Sequence, residues 1–259
     1  MAAGRSEPPQ YGFQPAVLDE GHGQQFGMGV ISSQPGAMGG VAGGGTAPGL
    51  QYLAHVDQLL VQQKVELLEV FTGFETKNKY VVTNSMGQRL FYVVEDTDCC
   101  TRWCFGPIRP FDIRVLDSQQ HEVLHLSRPL RCQGCCCPCC LQELEVTAGG
   151  QVIGLVKEEW AFLRPKLTVM RPDGTPVLRI GGPICQCALC SDVSFPVLSA
   201  DRSREVGNIT KQWSGCVKEM FTDADNMGVS FPMDLETNMK ATLLGALFLI
   251  EFMYFERQN

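Results

Sequence analysis

The segment from Met239 to Phe255 is the feature that most restricts how this chain can fold. It is apolar except for Lys240, Thr242 and Glu251, and it contains good helix formers and no proline, so it predicts a helix. Its uninterrupted apolar part, Ala241 to Ile250, is ten residues long, whereas crossing a bilayer takes about 20 residues. A helix that is apolar on nearly every side must be enclosed by protein or by lipid. The length favours burial in a protein core over a membrane span.

The residues before this helix show the pattern of successive antiparallel strands. Four hairpins are predicted, each from two apolar runs that flank a short polar or glycine-containing turn. The paired runs are Tyr80–Thr83 with Arg89–Glu95, Asp112–Leu116 with Glu122–Leu126, Gln142–Thr147 with Gln151–Val156, and Leu167–Met170 with Val177–Ile180. This regular spacing favours a β-sandwich or barrel over β-α-β units, and a barrel could enclose the helix.

The chain divides into a tail and one domain. Residues 1–49 contain 13 of the 27 glycines and few charges or large apolar side chains, so they predict a flexible tail. Residues 50–259 are enough for a single domain with a substantial core. At its start, Tyr52 to Phe71 has Val56, Leu59 and Leu60 spaced for a short helix, although Val61 to Val70 could instead begin the sheet.

The net charge and the N-terminus exclude some classes of protein. A net charge of -7 without any block of Lys or Arg makes nucleic-acid binding unlikely, because phosphates are bound by clustered cations. The first ten residues contain no apolar run of the kind that an export signal has, so we expect a cytosolic protein. Thiols remain reduced in that compartment.

Six cysteines crowd between Cys132 and Cys140. Adjacent, exposed cytosolic cysteines predict S-palmitoylation, because each acyl chain contributes about 0.8 kcal/mol per buried methylene and two chains hold a protein on a bilayer. Zinc binding is the alternative, and the spacing is roughly usable in two further groups, Cys185, Cys187 and Cys190, and Cys99, Cys100 and Cys104. Neighbouring ligands in the run point apart, which favours acylation.

The sequence His121-Glu122-Val123-Leu124-His125 matches the HExxH pattern of zinc proteases. That pattern needs a helix to bring both imidazoles to one face, but the surrounding residues predict a strand. On a strand the two His α-carbons would lie about 13 Å apart, at about 3.3 Å per residue. We therefore interpret the match as a coincidence and do not expect an enzyme of covalent chemistry.

The residues from Asp223 to Asp234 partly match a twelve-residue calcium loop. Met227 replaces the usual polar ligand at position five, Asp234 replaces the bidentate Glu, and Pro232 restricts the loop. Such a site would be weak, with a Kd on the order of 10⁻⁴ to 10⁻³ M or poorer. The alternative is a strand, in which Met227, Val229 and Phe231 alternate along one buried face.

The tail contains one short motif for partner binding. Pro8-Pro9-Gln10-Tyr11 has the PPxY form that WW domains bind, in which a polyproline II turn precedes an aromatic anchor. Pro8, Pro9 and Tyr11 are therefore the candidate partner-binding residues.

Taken together, these segments resemble the phospholipid scramblases over roughly Gly49 to Arg257. The similarity is carried by Pro48–Leu53, by Arg128–Cys132 with the cysteine run and Leu141-Gln142-Glu143 that follow, by Thr222–Asn226, Phe231-Pro232 and Asp234-Leu235, and by Gly245–Ile250 and Phe255–Arg257. The resemblance implies a tubby-like fold, which is a closed twelve-stranded β-barrel around a hydrophobic C-terminal helix. It also implies calcium-dependent, ATP-independent, bidirectional movement of phospholipids between leaflets.

The resemblance also assigns residues to roles. The family's palmitoylated run falls on Cys135, Cys136, Cys137, Cys139 and Cys140. Its proposed calcium segment falls on Asp223, Asp225, Met227, Val229, Phe231 and Asp234, where the three apolar residues could offer only backbone carbonyls. The nuclear import signal of some relatives falls on Gly207–Gly215, which has a single lysine, so nuclear import is not expected.

The leading hypothesis is a palmitoylated, calcium-responsive scramblase on the cytosolic face of the plasma membrane. One short helix offers no polar path across about 30 Å of hydrocarbon. The protein would therefore either form a homo-oligomer around a rearranged helix or perturb the leaflet on which it sits. The alternative is a lipid-anchored adaptor that binds lipids and recruits WW-domain partners without moving lipid.

Overall fold

The computed structural model describes residues 49–63, 78–97, 101, 104–105, 109–131, 141–161, 164–183, 192–212 and 226–255. Within them, twelve antiparallel strands close into a barrel in which every strand pairs with its neighbours in sequence and β1 also pairs with β12. The strands are β1 Gln58–Gln63, β2 Lys79–Asn84, β3 Arg89–Glu95, β4 Phe111–Leu116, β5 Glu122–Arg128, β6 Glu143–Ala148, β7 Gln151–Glu158, β8 Lys166–Met170, β9 Pro176–Gly181, β10 Val193–Ser199, β11 Glu205–Lys211 and β12 Asn226–Ser230.

One helix, α1, runs from Thr237 to Ile250 and continues into a π-helical turn at Glu251–Phe255. Each of its residues from Met239 to Ile250 is buried. The helix packs against strands β6, β7, β8 and β12 and against a short 3-10 turn at Leu50–Leu53 that precedes β1. The predicted barrel around a C-terminal helix is therefore confirmed.

All eight strands of the four predicted hairpins are confirmed, with ends shifted by at most two residues. The alternation of Met227 and Val229 also forms the predicted strand, β12. Of the two alternatives for Tyr52 to Phe71, the described residues support the start of the sheet and not the short helix, because β1 begins at Gln58, three residues before the expected Val61, and pairs with both β2 and β12. Pairing on both edges outweighs a helical spacing of only three apolar residues.

The alternation of strand direction gives the barrel two different ends. At the turn end, five connections of two to five residues join β2 to β3, β4 to β5, β6 to β7, β8 to β9 and β10 to β11. At the loop end, six connections of seven to fifteen residues join β1 to β2, β3 to β4, β5 to β6, β7 to β8, β9 to β10 and β11 to β12. Helix α1 enters from the turn end, after β12, and ends at the loop end.

Close approach of helix and wall requires glycine on β7. A Cβ atom built on Gly154 would lie 2.0 Å from Thr242 Oγ1 and 2.8 Å from Thr242 Cγ2. Both distances are below any stable non-bonded contact. The glycine therefore lets α1 lie directly on the inner surface of this strand.

The buried ammonium of Lys240 holds the N-terminal end of α1. Its three N–H groups donate to four backbone carbonyls within reach, one of them shared, at Nζ to O distances of 3.1 Å for Leu53, 3.1 Å for Ala54, 2.8 Å for Val56 and 2.7 Å for Met233. Burial lowers the pKa of Lys240, while the nearby carboxylates of Asp234 and Asp57 oppose that shift. The ammonium thus ties the helix to the segment before β1 and to the segment after β12.

The two charges of α1 and its π-turn also limit its apolar length. Lys240 and Glu251 are eleven residues apart, which is about 16 Å at 1.5 Å per residue. Among the described residues, Thr237–Phe255 is the one helix long and apolar enough to cross a membrane by length and composition. Of an 18-residue stretch of this helix, 83% is buried inside the protein. The structure therefore places this helix as the core of the barrel, in agreement with the prediction from its length.

We expect Gly154→Ala to destabilise the barrel, because its new methyl group would overlap Thr242. The loss should be about 3 kcal/mol, at the upper end of the overpacking range, which is a fall in Tm of about 6–12 °C for a domain of this size. Thermal unfolding followed by circular dichroism measures it. Gly181→Ala on β9 is the matched control, because nothing lies within 4 Å of its added Cβ. Equal Tm values for the two variants would contradict the packing described.

We expect Lys240→Met to destabilise the protein by about 2–4 kcal/mol, because each buried acceptor left without a donor costs about 1–3 kcal/mol and removal of a buried charge offsets only part of this. Chemical denaturation at neutral pH gives the free energy of unfolding. Lys157→Met is the control, since its ammonium contacts Glu143 at 3.0 Å on the surface and should cost under about 1 kcal/mol. A Lys240→Met protein as stable as this control would show that the carbonyl contacts contribute little.

Candidate functional site

The loop end concentrates the residues that the sequence singles out for chemistry. All 13 cysteines belong to four of its connections, those from β3 to β4, β5 to β6, β9 to β10 and β11 to β12. Cys104 is described and exposed. The cysteine run falls between Arg131 and Leu141, which are both described, and so it starts and ends at this end of the barrel. This end is therefore the candidate functional site.

A layer of buried charged side chains closes the barrel interior at the loop end. The Arg109 guanidinium donates to Glu95 Oε1 from both Nε (3.1 Å) and Nη2 (2.8 Å), and these side chains are 2% and 0% exposed. Asn78 donates to the other oxygen of Glu95 at 2.6 Å. Arg109 also lies over the ring of Phe252 in the π-turn, 4.8 Å from its centroid. The pair thus joins β3 to the end of the central helix.

A second ion pair fixes the π-turn to the end of β11. Lys211 Nζ donates to both carboxylate oxygens of Glu251, at 2.9 and 3.1 Å, and lies 4.9 Å from the centroid of the Phe255 ring. The side chains are 8% and 5% exposed. A buried charge that loses its partner is costly, so each member of this pair holds the other in place.

The third part of the layer lies between β5 and β7. Arg128 donates to Gln142 Oε1 at 2.9 Å and lies 5.5 Å from the centroid of the Phe111 ring. Burial raises the pKa of Glu158, while the backbone N–H of Gln142 and the charge of Arg128 oppose that change. The pKa of Tyr254 is also raised, first by burial and then by the charge of Glu158.

These contacts determine what the layer can do chemically. Its cations and carboxylates contact one another and aromatic rings, and the interior beneath is filled by helix α1 and the apolar core. The layer therefore separates the apolar core from the water and loops above it. Sequence reasoning missed these residues, and the only signal for them was Glu251, the lone carboxylate in an otherwise apolar segment.

Of the six predicted calcium residues, four lie within the described part of the chain. Asp223 and Asp225 lie outside the described residues, in the connection that enters β12 at the loop end. Met227 and Val229 are in β12 with their side chains in the core, and β12 pairs with β1 on one side and β11 on the other, which occupies its backbone groups. Met227 and Val229 therefore do not fit as calcium ligands.

The C-terminal end of the calcium segment lies close to the Lys240 ammonium, which disfavours a calcium ion there. Phe231 is buried and its N–H donates to the Asp57 carbonyl at 2.9 Å, while its ring lies 5.4 Å from the Lys240 ammonium. Asp234 is exposed at the turn end and is one of the two carboxylates near that ammonium. The calcium prediction thus depends on Asp223 and Asp225, and it stays a prediction.

Four of the five HExxH residues lie on strand β5, as predicted, and the first lies just before it. His121 is in the turn before β5 and His125 is on β5 itself. His125 contacts Asp112 at 3.1 Å, and His121 contacts Asp117 at 3.5 Å. Each imidazole thus has a different carboxylate partner, and no group of three or more metal-binding side chains was found among the described residues.

Several predicted sites fall outside the described residues. They are the acylation candidates Cys135, Cys136, Cys137, Cys139 and Cys140, the WW-binding residues Pro8, Pro9 and Tyr11, and the alternative zinc ligands Cys99, Cys100, Cys185, Cys187 and Cys190. Their assignment remains at the level of sequence.

Comparison with known proteins identifies the family. The family model for Scramblase matches residues 41–257. Phospholipid scramblase 1 of the mouse, Mus musculus, is 56% identical over 211 residues, which cover 81% of this chain and 64% of the relative. Phospholipid scramblase 2 of cattle, Bos taurus, is 54% identical over 210 residues, covering 81% of this chain and 72% of the relative.

A more distant human relative, Phospholipid scramblase family member 5, is 42% identical over 210 residues, which cover 81% of this chain and 78% of the relative. The matches cover 63–66% of the length of the mouse, rat and human scramblase 1 chains. No solved structure matches the chain. Because the family model covers most of the chain, including the barrel and its central helix, the chain belongs to the Scramblase family.

Proposed function

We propose that this protein moves phospholipids between membrane leaflets, in both directions and without ATP. The observation that carries the proposal is the 56% identity to a protein named Phospholipid scramblase 1, over a match that takes in most of the chain. Because the match covers 64% of that relative, the activity of the whole relative is a proposal for this chain. We also propose the cytosolic face of the plasma membrane as its location.

The filled interior supports a route outside the barrel. A lipid headgroup needs a polar path through about 30 Å of hydrocarbon, and the space inside the strands is taken by α1. Removing α1 from the barrel would separate Lys240 from four carbonyls and Glu251 from Lys211. We therefore favour a mechanism in which the barrel stays intact and disturbs the leaflet against which it is held, so that lipids cross beside the protein.

Acyl chains on the cysteine run would direct the loop end toward the membrane. The run connects two adjacent strands, β5 and β6, and its flanking residues Leu130 and Arg131 lie at the rim. Five candidate positions, Cys135, Cys136, Cys137, Cys139 and Cys140, exceed the two chains needed for stable attachment. The acylated loop end would then be the part of the protein that contacts lipid.

Calcium is proposed as the trigger, with Asp223 and Asp225 as its candidate ligands. Two carboxylates are fewer than a complete calcium site, so weak binding is expected. Both residues belong to the connection between β11 and β12, and the strand ends that it joins lie at the loop end of the barrel. Lipid headgroups or water would have to complete the coordination.

The filled barrel also supports a second candidate function, that of a lipid-anchored adaptor. Such a protein needs no path for lipid, and the tail motif Pro8-Pro9-Gln10-Tyr11 would recruit a WW-domain partner. Titration of a WW domain with wild type and with Tyr11→Ala measures this binding, which the substitution should abolish. Homo-oligomers are also proposed, since several barrels would disturb a larger area of the leaflet.

We expect purified, acylated full-length protein to move fluorescent phosphatidylserine across liposome membranes, faster with calcium than without. Asp225→Ala should reduce the calcium-dependent part of the rate, because it removes one of the two candidate carboxylates. Loss of fluorescence after addition of a membrane-impermeant reductant measures the transport. The control is Asp173→Ala, whose carboxylate is in the exposed turn between β8 and β9.

The outcomes separate the two candidate functions. Transport that Asp173→Ala retains and Asp225→Ala loses supports a calcium-responsive scramblase. If transport is independent of calcium in every variant, the scramblase proposal stands and the proposed calcium trigger is wrong. If acylated, calcium-loaded protein moves no lipid, the scramblase proposal is wrong and the adaptor is favoured.

We expect alanine at Cys135, Cys136, Cys137, Cys139 and Cys140 to shift the protein from the membrane to the soluble fraction of cells, because the acyl chains that hold it would be lost. Ultracentrifugation of cell lysates measures the distribution. Cys104→Ala is the control, since it removes one exposed thiol outside the run. Unchanged fractionation of the five-site variant, or stoichiometric zinc in the wild type by elemental analysis, would contradict acylation.

A further inference from the structure

Three large apolar side chains are exposed at the loop end. Phe105 is 39% exposed, Leu130 49% and Trp160 54%. They come from the connections β3 to β4, β5 to β6 and β7 to β8, which follow one another around the rim. Strands β4 and β7 are three strand spacings apart, or about 15 Å. The three side chains thus occupy one sector of the rim.

The same sector carries exposed cations. Arg164 and Lys166 are exposed just beyond Trp160, where β8 begins. Within the sector, Arg131 and Lys157 share one carboxylate, that of Glu143, at 2.7 and 3.0 Å. This group of two cations and one carboxylate has a net positive charge.

The turn end has a net negative charge, whereas the described connections of the loop end carry three acidic side chains, Asp96, Glu159 and Asp192, and three arginines, Arg109, Arg131 and Arg164. In its described connections and in the segments before β1 and α1, six acidic side chains oppose three arginines. They are Asp57, Asp117, Asp173, Asp201, Asp234 and Glu236, against Arg171, Arg202 and Arg204. An anionic surface would therefore repel the turn end. Glu159, next to Trp160, is paired with Arg179 and Arg202, so the exposed Arg164 and Lys166 would attract such a surface to this sector.

We propose that Phe105, Leu130, Trp160, Arg164 and Lys166 form a docking surface for an anionic lipid bilayer, and that it binds without help from acyl chains. Tryptophan favours the membrane interface because its ring is apolar and its N–H polar. Cations next to it are attracted to anionic lipid headgroups, which stabilises the bound state. The acylation candidates begin at Cys135, five residues after Leu130, so surface and acyl chains would engage the same leaflet. This proposal deepens the proposed function, because it fixes which end of the barrel meets the membrane.

The test is vesicle binding by full-length, unacylated protein made in bacteria. Wild type should sediment with vesicles that contain roughly 30% phosphatidylserine and bind pure phosphatidylcholine vesicles less tightly. The pair Leu130→Gln and Trp160→Gln should raise the Kd about tenfold or more, since 1.4 kcal/mol corresponds to a factor of ten. Arg164→Glu with Lys166→Glu should remove the preference for phosphatidylserine.

The matched control is at the turn end. Met86 and Val152 are 75% and 36% exposed, so Met86→Gln with Val152→Gln removes apolar surface of a similar kind from the acidic end. These substitutions should leave vesicle binding unchanged. All the substituted side chains are solvent-exposed, so every variant should fold. Circular dichroism and Tm check this for each one.

A second measurement locates the contact. With Trp103→Phe and Trp213→Phe, Trp160 becomes the sole tryptophan, and brominated phosphatidylcholine in the vesicles should quench its fluorescence. Bound protein without quenching, equal weakening by the turn-end control, or no binding by wild type would each overturn the docking surface. None of these measurements requires lipid transport, so failure of the scramblase proposal remains distinguishable from failure of this one.

Discussion

Enclosure of one apolar helix by the strands is the constraint on which the rest of this structure depends. Each residue of α1 from Met239 to Ile250 is buried, so the wall must supply contacts on every side. This explains the closed barrel, since an open sheet would leave one side of the helix in water. It also explains Gly154, where the wall comes too close for any side chain. The position of the helix in turn fixes what each end of the barrel can do.

The two ends of the helix are held by different chemistry. At the turn end, the Lys240 ammonium is bound by neutral carbonyls and is sealed from solvent. At the loop end, Glu251 is paired with Lys211 within a layer that also includes Glu95 and Arg109. Both arrangements satisfy a buried charge, which would otherwise be costly. A barrel filled and closed in this way is suited to act on a membrane from its outer rim.

Much of the fold could be predicted from local sequence, and much of the site could not. Turns such as Gly149-Gly150 and alternation such as Met227 and Val229 act over a few residues, so hairpins and β12 were predicted close to their observed limits. The contact between Glu95 and Arg109 joins residues with no shared pattern and arises only when the barrel closes. The burial of Met227 and Val229 and the position of Asp234 at the turn end likewise depend on the direction and pairing of β12, which sequence spacing does not reveal.

The hydrogen bond from Lys240 to the carbonyl of Leu53 spans 187 residues. Together with the pairing of β1 and β12, it joins the first and last parts of the domain. During synthesis the barrel therefore cannot close until the C-terminal helix has left the ribosome, and contacts of such long range form slowly. A nascent chain would expose the unpaired edge of β1 for most of its synthesis, so chaperones have a long period in which to bind it. A message truncated before the helix would yield a chain that never completes its core.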